Sequence, residues 1–433
     1  MMSNLALLGG TPVRDKAIPW TNTMGEEEKK AVAEVMESGN LSAFLGRAGA
    51  GFLGGPRVQK IEQMFADKFG AKYGISVNSA TTALHTAVAA CEIGPGDEVL
   101  VTPYTMSATA SAILMNNAVP VFVDICEDTY TLNPNEIKKW LTPRTKAIIV
   151  TNLFGLPGNV PEIVKIAKQH GLYVIEDNAQ APGATIDGKQ AGTIGDLGIF
   201  SLNYHKVIHS GEGGMILTDN EKLAYRCQLI RNHGEVAVDD LDDENTVVLG
   251  SNYRMTELHA AVGIEQLKKL DGFLTMRRRL AEQVTNGLAA IDGLQGVVVP
   301  EGYTHSYYVY PIQFDQTVWE ISRATFASAM KAEGFPLGEG YVKPLYLLKM
   351  YQHKKVYNHT QYPFSFISDP VQIYQKGICP VVEELYGEKL LTADICRVPY
   401  TAKDIDDFLT VIEKVWHERK ELKKYEKNNI SCS

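Results

Sequence analysis

Residues 171–184 read GLYVIEDNAQAPGA, an apolar run that ends in two acids. The run 172–175 has the length and composition of a strand. That places Glu176 and Asp177 at its C-terminal end, where open α/β sheets hold their ligands. Acidic strand ends are common, however, and are ordinarily just solvated. The next informative stretch, residues 196–219, is DLGIFSLNYHKVIHSGEGGMILTD. An apolar strand pattern (197–200) leads into a polar loop carrying Ser201, Asn203, His205 and Lys206, and Gly211-Glu212-Gly213-Gly214 turns the chain into a second strand, 215–218. Taken alone, Lys206 fits a solvated loop position. The glycine-rich turn beside it also lets a ligand approach the backbone closely, and burial between two strands lowers an amine's pKa so that it can act as a nucleophile.

The two stretches together say more than either alone. An aspartate at a strand end followed about 30 residues later by a loop lysine is the arrangement used with pyridoxal phosphate (PLP): the carboxylate keeps the pyridine nitrogen protonated, and the lysine bonds the cofactor's aldehyde carbon. Outward from this pair the chain alternates strand and helix. Strand patterns at 73–77, 98–101, 119–123 and 147–151 are each followed by turn or helix signals, which predicts a mostly parallel sheet with helices on both faces. Ser79-Ala80-Thr81-Thr82 opens a helix after the first of these strands. On spacing alone it serves equally as a plain N-cap or as a phosphate-binding helix start.

EDNAQAPGA (176–184), SLNYHKVIHSGEGG (201–214) and GSNYRMTELHAAVG (250–263) resemble the DegT/DnrJ/EryC1/StrS aminotransferases, and the resemblance runs from LALLGGTPVR (5–14) to the C-terminal helix. It implies the PLP-dependent transferase type I fold, α/β with a mostly parallel seven-stranded-type sheet and a smaller C-terminal α/β domain. We divide the chain accordingly into an N-terminal segment (1–24), a large PLP-binding domain (25–270) and a small domain (271–433). The resemblance makes Lys206 and Asp177 the catalytic pair and adds Gln180 beside the cofactor ring. It assigns the cofactor phosphate to Thr81, Thr82, Ser201 and the Asn252 of a second subunit, hence a homodimer with shared active sites. Met106 stands where relatives carry an aromatic residue over the ring; a thioether can replace it, or Tyr104 can contribute instead. His233, in RNHG (231–234), and Tyr104 are candidates for substrate contact, as are the loops 41–55, 232–250 and 340–370. Pro344-Leu345-Tyr346 departs from the usual Pro-Leu-His.

The implied activity is transfer of an amino group from L-glutamate or L-glutamine to a keto-sugar, nucleotide-linked in most of the family. A keto-cyclitol acceptor is the nearest alternative, favoured slightly by the GSN form at 250–252 and by LALLGGTPVR. Sugar dehydratases of the family carry histidine in place of the lysine, whereas here the lysine is retained. A non-catalytic regulator is opposed by the retention of both Lys206 and Asp177.

Composition agrees with a large globular enzyme. The chain has 433 residues, 45% of them hydrophobic and 21% charged, enough for an ample core. A net charge of −9 without a long basic stretch argues against a nucleic-acid surface. The six cysteines are scattered, with no CxxC spacing, which predicts reduced thiols and no zinc site. The apolar run 5–8 is too short for a signal peptide or membrane span, so a cytoplasmic protein is expected. The segments 276–282 and 323–333 read as helices, 305–310 as a strand, and 349–396 as a polar, aromatic-rich connector without a clear pattern.

Overall fold

The computed structural model describes residues 4–16, 18–19, 22–234, 247–357, 359–368 and 370–430. Its first strands are β1 (Tyr73–Val77), β2 (Glu98–Val101), β3 (Val119–Phe122), β4 (Thr145–Thr151) and β5 (Tyr173–Asp177). A short hairpin follows, β6 (Thr185–Ile186) with β7 (Lys189–Gln190), and then β8 (Leu197–Ser201) and β9 (Gly214–Thr218). Seven of these form one sheet in the order β1-β9-β8-β5-β4-β2-β3. Only β9 runs against its neighbours; the other pairings in the sheet are parallel.

The strands are apolar throughout because both faces are covered. Side chains alternate between the faces with a period of two. Val99, Val101, Ile149 and Ile175 enter the core beneath α3 (Ala80–Ala90) and α4 (Ser107–Met115), whereas Leu100, Ile148, Val150 and Val174 face the opposite core with Ile163 and Ile166 of the helix Val160–His170. At the β8–β9 end, Phe200, Met215 and Leu217 pack against α2 (Pro56–Phe69) and the helix Glu257–Leu288.

The N-terminal residues fold against the C-terminal ones. Leu5 is fully buried in the core of a small antiparallel sheet, whose strands are Leu294–Gln295, Tyr310–Phe314, Leu390–Ala393 and Gly338–Glu339. The Ala6 and Val13 N–H groups donate to the buried Glu333 carboxylate, which Lys414 also engages. The helix Glu257–Leu288 runs through the expected boundary at 270 without interruption, 32 residues long. Its side chains serve two cores in succession: Ile264, Leu267 and Leu270 beneath the large sheet, then Leu280, Val284 and Leu288 in the C-terminal core.

Two segments differ from the sequence reading. Residues 305–309 are not a strand; the strand starts at Tyr310. Tyr307 has φ +50°, a left-handed conformation that interrupts any ladder. The Ser306 and Val309 N–H groups bond instead to the carbonyls of Gly155 and Phe154. Gly155, at φ +109°, lies so close that a Cβ there would stand 2.8 Å from Tyr307 N. Described residues after 344, in and just before the connector 349–396, also pack on the sheet. Tyr346, Tyr351 and Tyr374 pack on Phe122, and the Gln372 amide both accepts from the Phe122 N–H (2.8 Å) and donates to its carbonyl (2.7 Å). One side chain thereby pairs with the sheet's edge strand, β3, at Phe122, and the Tyr374 hydroxyl donates to the Pro120 carbonyl beside it.

Candidate active site

The C-terminal ends of β5 and β8 meet at the site. The two acids of β5 point to opposite sides, as strand geometry requires. Glu176 is turned into the loop that follows β7 and accepts from the N–H groups of Gly192, Ile194 and Gly195 at 2.7–2.8 Å; its oxygens are taken up by the fold. Asp177 is buried and receives the Thr109 hydroxyl at 2.7 Å and the Ala179 N–H at 3.2 Å. Burial pushes its carboxyl above the usual range, while these two bonds and the charge of Lys206 pull it down.

Lys206 lies in a turn fixed by its own backbone and by the glycine segment. Its N–H donates to Asn203 O, Leu202 N donates to Gly213 O, and the Asn203 side-chain amide donates to Glu212 Oε1. β9 begins hard against the start of α3: a Cβ on Gly214 would stand 2.4 Å from the Ser79 carbonyl oxygen. The Lys206 side chain is largely enclosed, and its Nζ sits 4.5 Å from the centre of the Tyr308 ring. Burial lowers the amine to about 8, against the opposing pull of Asp177. An amine with this pKa is partly neutral at physiological pH and so available as a nucleophile or base.

The other expected residues fall into three groups. Gln180 is buried beside the pair, accepting from the Phe154 N–H at 2.8 Å and donating to the Tyr341 hydroxyl at 2.9 Å. Thr81 and Thr82 stand in the first turn of α3, and Ser201 is nearly buried at the end of β8. Ser79 is the N-cap, accepting from the Thr82 N–H at 3.1 Å, and the Thr82 hydroxyl is committed to Asn78 Oδ1 at 2.7 Å and to Ser79 O. Met106 caps α4 through its sulfur and is 55% exposed. Tyr104, by contrast, is fully buried, its hydroxyl accepting from the Tyr341 N–H at 3.0 Å. It supports Tyr341 from below rather than offering a face to a ligand.

His233 and Asn252 lie apart from these residues, on the hairpin Asn232–Gly234/Leu249–Asn252. Both are exposed. Asn232 ties this hairpin to the glycine-rich loop 41–55 through bonds from its side-chain amide to Leu45 O and Phe52 O. Of the loops expected to contact substrate, residues 235–246, 358 and 369 lie outside the described residues.

Three residues near the pair escaped sequence reasoning. Thr109 has a legible signal, a hydroxyl in the first turn of a helix after a strand end. Tyr308 and Tyr341 have none, because each reaches the site from an irregular loop of the C-terminal half.

Three comparisons bear on identity. The family model described as the DegT/DnrJ/EryC1/StrS aminotransferase family matches residues 22–373. An uncharacterized protein of Methanocaldococcus jannaschii is 32% identical over 409 residues, covering 93% of this chain and 98% of that one. The spore coat polysaccharide biosynthesis protein SpsC of Bacillus subtilis is 34% identical over 359 residues, covering 81% and 89%. Among solved structures, an aminotransferase from Psychrobacter cryohalolentis superposes with a TM-score of 0.79 at 29% identity, covering 94% of this chain and all of that one.

Proposed function

The chain belongs to the DegT/DnrJ/EryC1/StrS aminotransferase family, and from that premise we propose that it aminates a keto-sugar, with L-glutamate or L-glutamine as donor and Lys206 and Asp177 as its catalytic pair. The family's cofactor is PLP, and the residues present fit it. A largely enclosed amine of lowered pKa lies within electrostatic reach of a buried carboxylate, and the glycine turn brings β9 within contact of a helix start whose first amides can hold a phosphate. When bound, PLP supplies an electron sink that stabilises negative charge at the donor's α-carbon.

The remaining work belongs to the protein. Lys206 Nζ would accept the proton from the donor's α-carbon and give it up again, a role suited to an amine that is neutral part of the time. Asp177, held by Thr109 and Ala179, keeps a negative charge where the ring nitrogen carries its proton. Gln180 and Tyr341 fix the wall beside the ring, and Tyr308 shields the amine from water on one side. Thr81, Ser201, Thr82 once its proton turns from Asn78, and the partner subunit's Asn252 are the phosphate ligands of this reading. The exposed position of Asn252 supports its serving a second copy of the chain.

The observation that carries the proposal is the enclosed Lys206 amine within electrostatic reach of buried Asp177. Borohydride reduction of the PLP-loaded protein followed by peptide mapping should place the pyridoxyl group on Lys206. An adduct on Lys189 or Lys343 would defeat the assignment. Loaded protein should lose its visible absorbance with L-glutamate or L-glutamine alone and recover it with the correct acceptor. Keto-cyclitols belong in that acceptor screen beside keto-sugars.

A further inference from the structure

Behind Lys206 lies a cavity of about 30 Å³ whose lining includes Lys206, His209, Thr23, Arg277 and Arg397. That volume accommodates water and is too small for a sugar or an amino acid. His209 connects it to the outside. One ring nitrogen, Nε2, is 3.0 Å from the hydroxyl of Thr23, which is partly exposed. The other, Nδ1, is buried and has no hydrogen-bond partner among the described residues. A buried ring nitrogen of this kind calls for a water, and the cavity has both the room and a second polar group, the Lys206 amine, to hold one.

The charged and titratable groups around His209 are Glu28 on the helix Glu26–Ser38, His205 and Lys206 on its own turn, Arg277 on the long helix, and Arg397 near the C-terminus. Burial keeps His209 below the usual imidazole range, and Glu28 opposes that only in part. His209 is therefore neutral near pH 7, with one nitrogen free to accept a proton while the other gives one up.

We propose that this cavity is a proton-transfer chamber, in which a water joins Lys206 Nζ to His209 Nδ1 and His209 Nε2 passes a proton to Thr23 at the surface. The inference rests on the reading of Lys206 as the reacting amine. In each passage the Lys206 ammonium loses one proton to the water, the water gives one to Nδ1, and Nε2–H goes through the Thr23 hydroxyl to solvent. The passage leaves His209 in its other neutral tautomer, Nδ1–H with Nε2 bare, and gives solvent one proton; the reverse passage, which returns a proton to Lys206, restores the starting tautomer. His209 is a positioning and relay residue and does not touch the substrate.

The test uses the full-length chain freed of cofactor and follows PLP capture by stopped-flow absorbance from pH 6 to 9.5. His209→Ala should slow capture about tenfold below pH 8, where Lys206 must first lose a proton. It should match the wild type above pH 9, and added imidazole should restore the low-pH rate. Equal slowing at every pH without rescue, or no slowing at all, overturns the relay. A raised KM for the amino donor with capture unchanged overturns it in favour of a carboxylate subsite. If His209→Ala does not fold, Thr23→Val should reproduce the low-pH slowing at about threefold, and a wild-type profile from that variant is equally fatal. Covalent capture by Lys206→Ala would instead defeat the proposed function, leaving the two failures distinguishable.

Discussion

Two regions of the molecule carry expected functional residues, and they are built differently. Around Lys206 and Asp177, the residues that matter are enclosed by their own chain: Thr109 and Ala179 hold the carboxylate, Tyr308 covers the amine, and Gln180 locks to Tyr341 and Phe154. On the hairpin Asn232–Gly234/Leu249–Asn252, His233 and Asn252 are exposed, and Leu249 and Val247 expose 94% and 65% of their surface. The first region is finished by one chain. The second presents apolar side chains and an amide that nothing among the described residues covers, as expected of a surface completed by another molecule.

The sharpest way to break this contrast is at its enclosed side. Lys206→Ala should reduce the donor half-reaction, followed by cofactor absorbance, by about 10³-fold or more; a rate within tenfold of the wild type would move the chemistry elsewhere. Asp177→Asn keeps the shape but removes the charge, and should cost about 10²–10³-fold in the same assay. The exposed side is tested with Leu249→Asp. If a second copy covers the hairpin, this variant should sediment as a monomer and bind PLP about tenfold more weakly. An unchanged assembly would place the contact elsewhere. Tyr341→Phe removes only the acceptor of the Gln180 amide and should lower the melting free energy by about 1 kcal/mol, with a comparably small loss of rate.

A further effect is read on stability alone. The folded Lys206 amine titrates at about 8 against an ordinary 10.5. Between those values the unfolded chain binds more protons than the folded one, so stability rises with pH across that window. Lys206→Met should therefore melt higher than the wild type at pH 7, and its advantage should fade as the pH approaches 10.5. An advantage independent of pH would mean that the amine carries no burial penalty.

Most of the sheet was legible in the sequence because each strand is an apolar run closed by turn residues, and β5 and β8 were bounded to within two residues. Asp177 and Lys206 were legible as candidates through their pairing, an aspartate at a strand end and a loop lysine about 30 residues later. What could not be read was set by distant partners. The polar connector after 344 shows no periodicity, because its Tyr346, Tyr351 and Tyr374 pack on Phe122, more than 200 positions away in the chain. The strand pattern at 305–309 misleads because Tyr307 takes a left-handed turn to follow Gly155, a constraint that resides in another part of the chain. The helix expected at 276–282 is part of one longer helix that begins at Glu257.

That long helix has a mechanical consequence. At 1.5 Å per residue its 32 residues make a rod about 48 Å long. Its first half is clamped beneath the large sheet and its second half forms part of the C-terminal core. A lever without a joint transmits rotation instead of absorbing it: a tilt of 5° at one end displaces the other by about 4 Å. Whatever shifts the C-terminal core must therefore reshape the surroundings of Lys206, because Met276 and Arg277 of the rod line the same cavity as the turn that carries it.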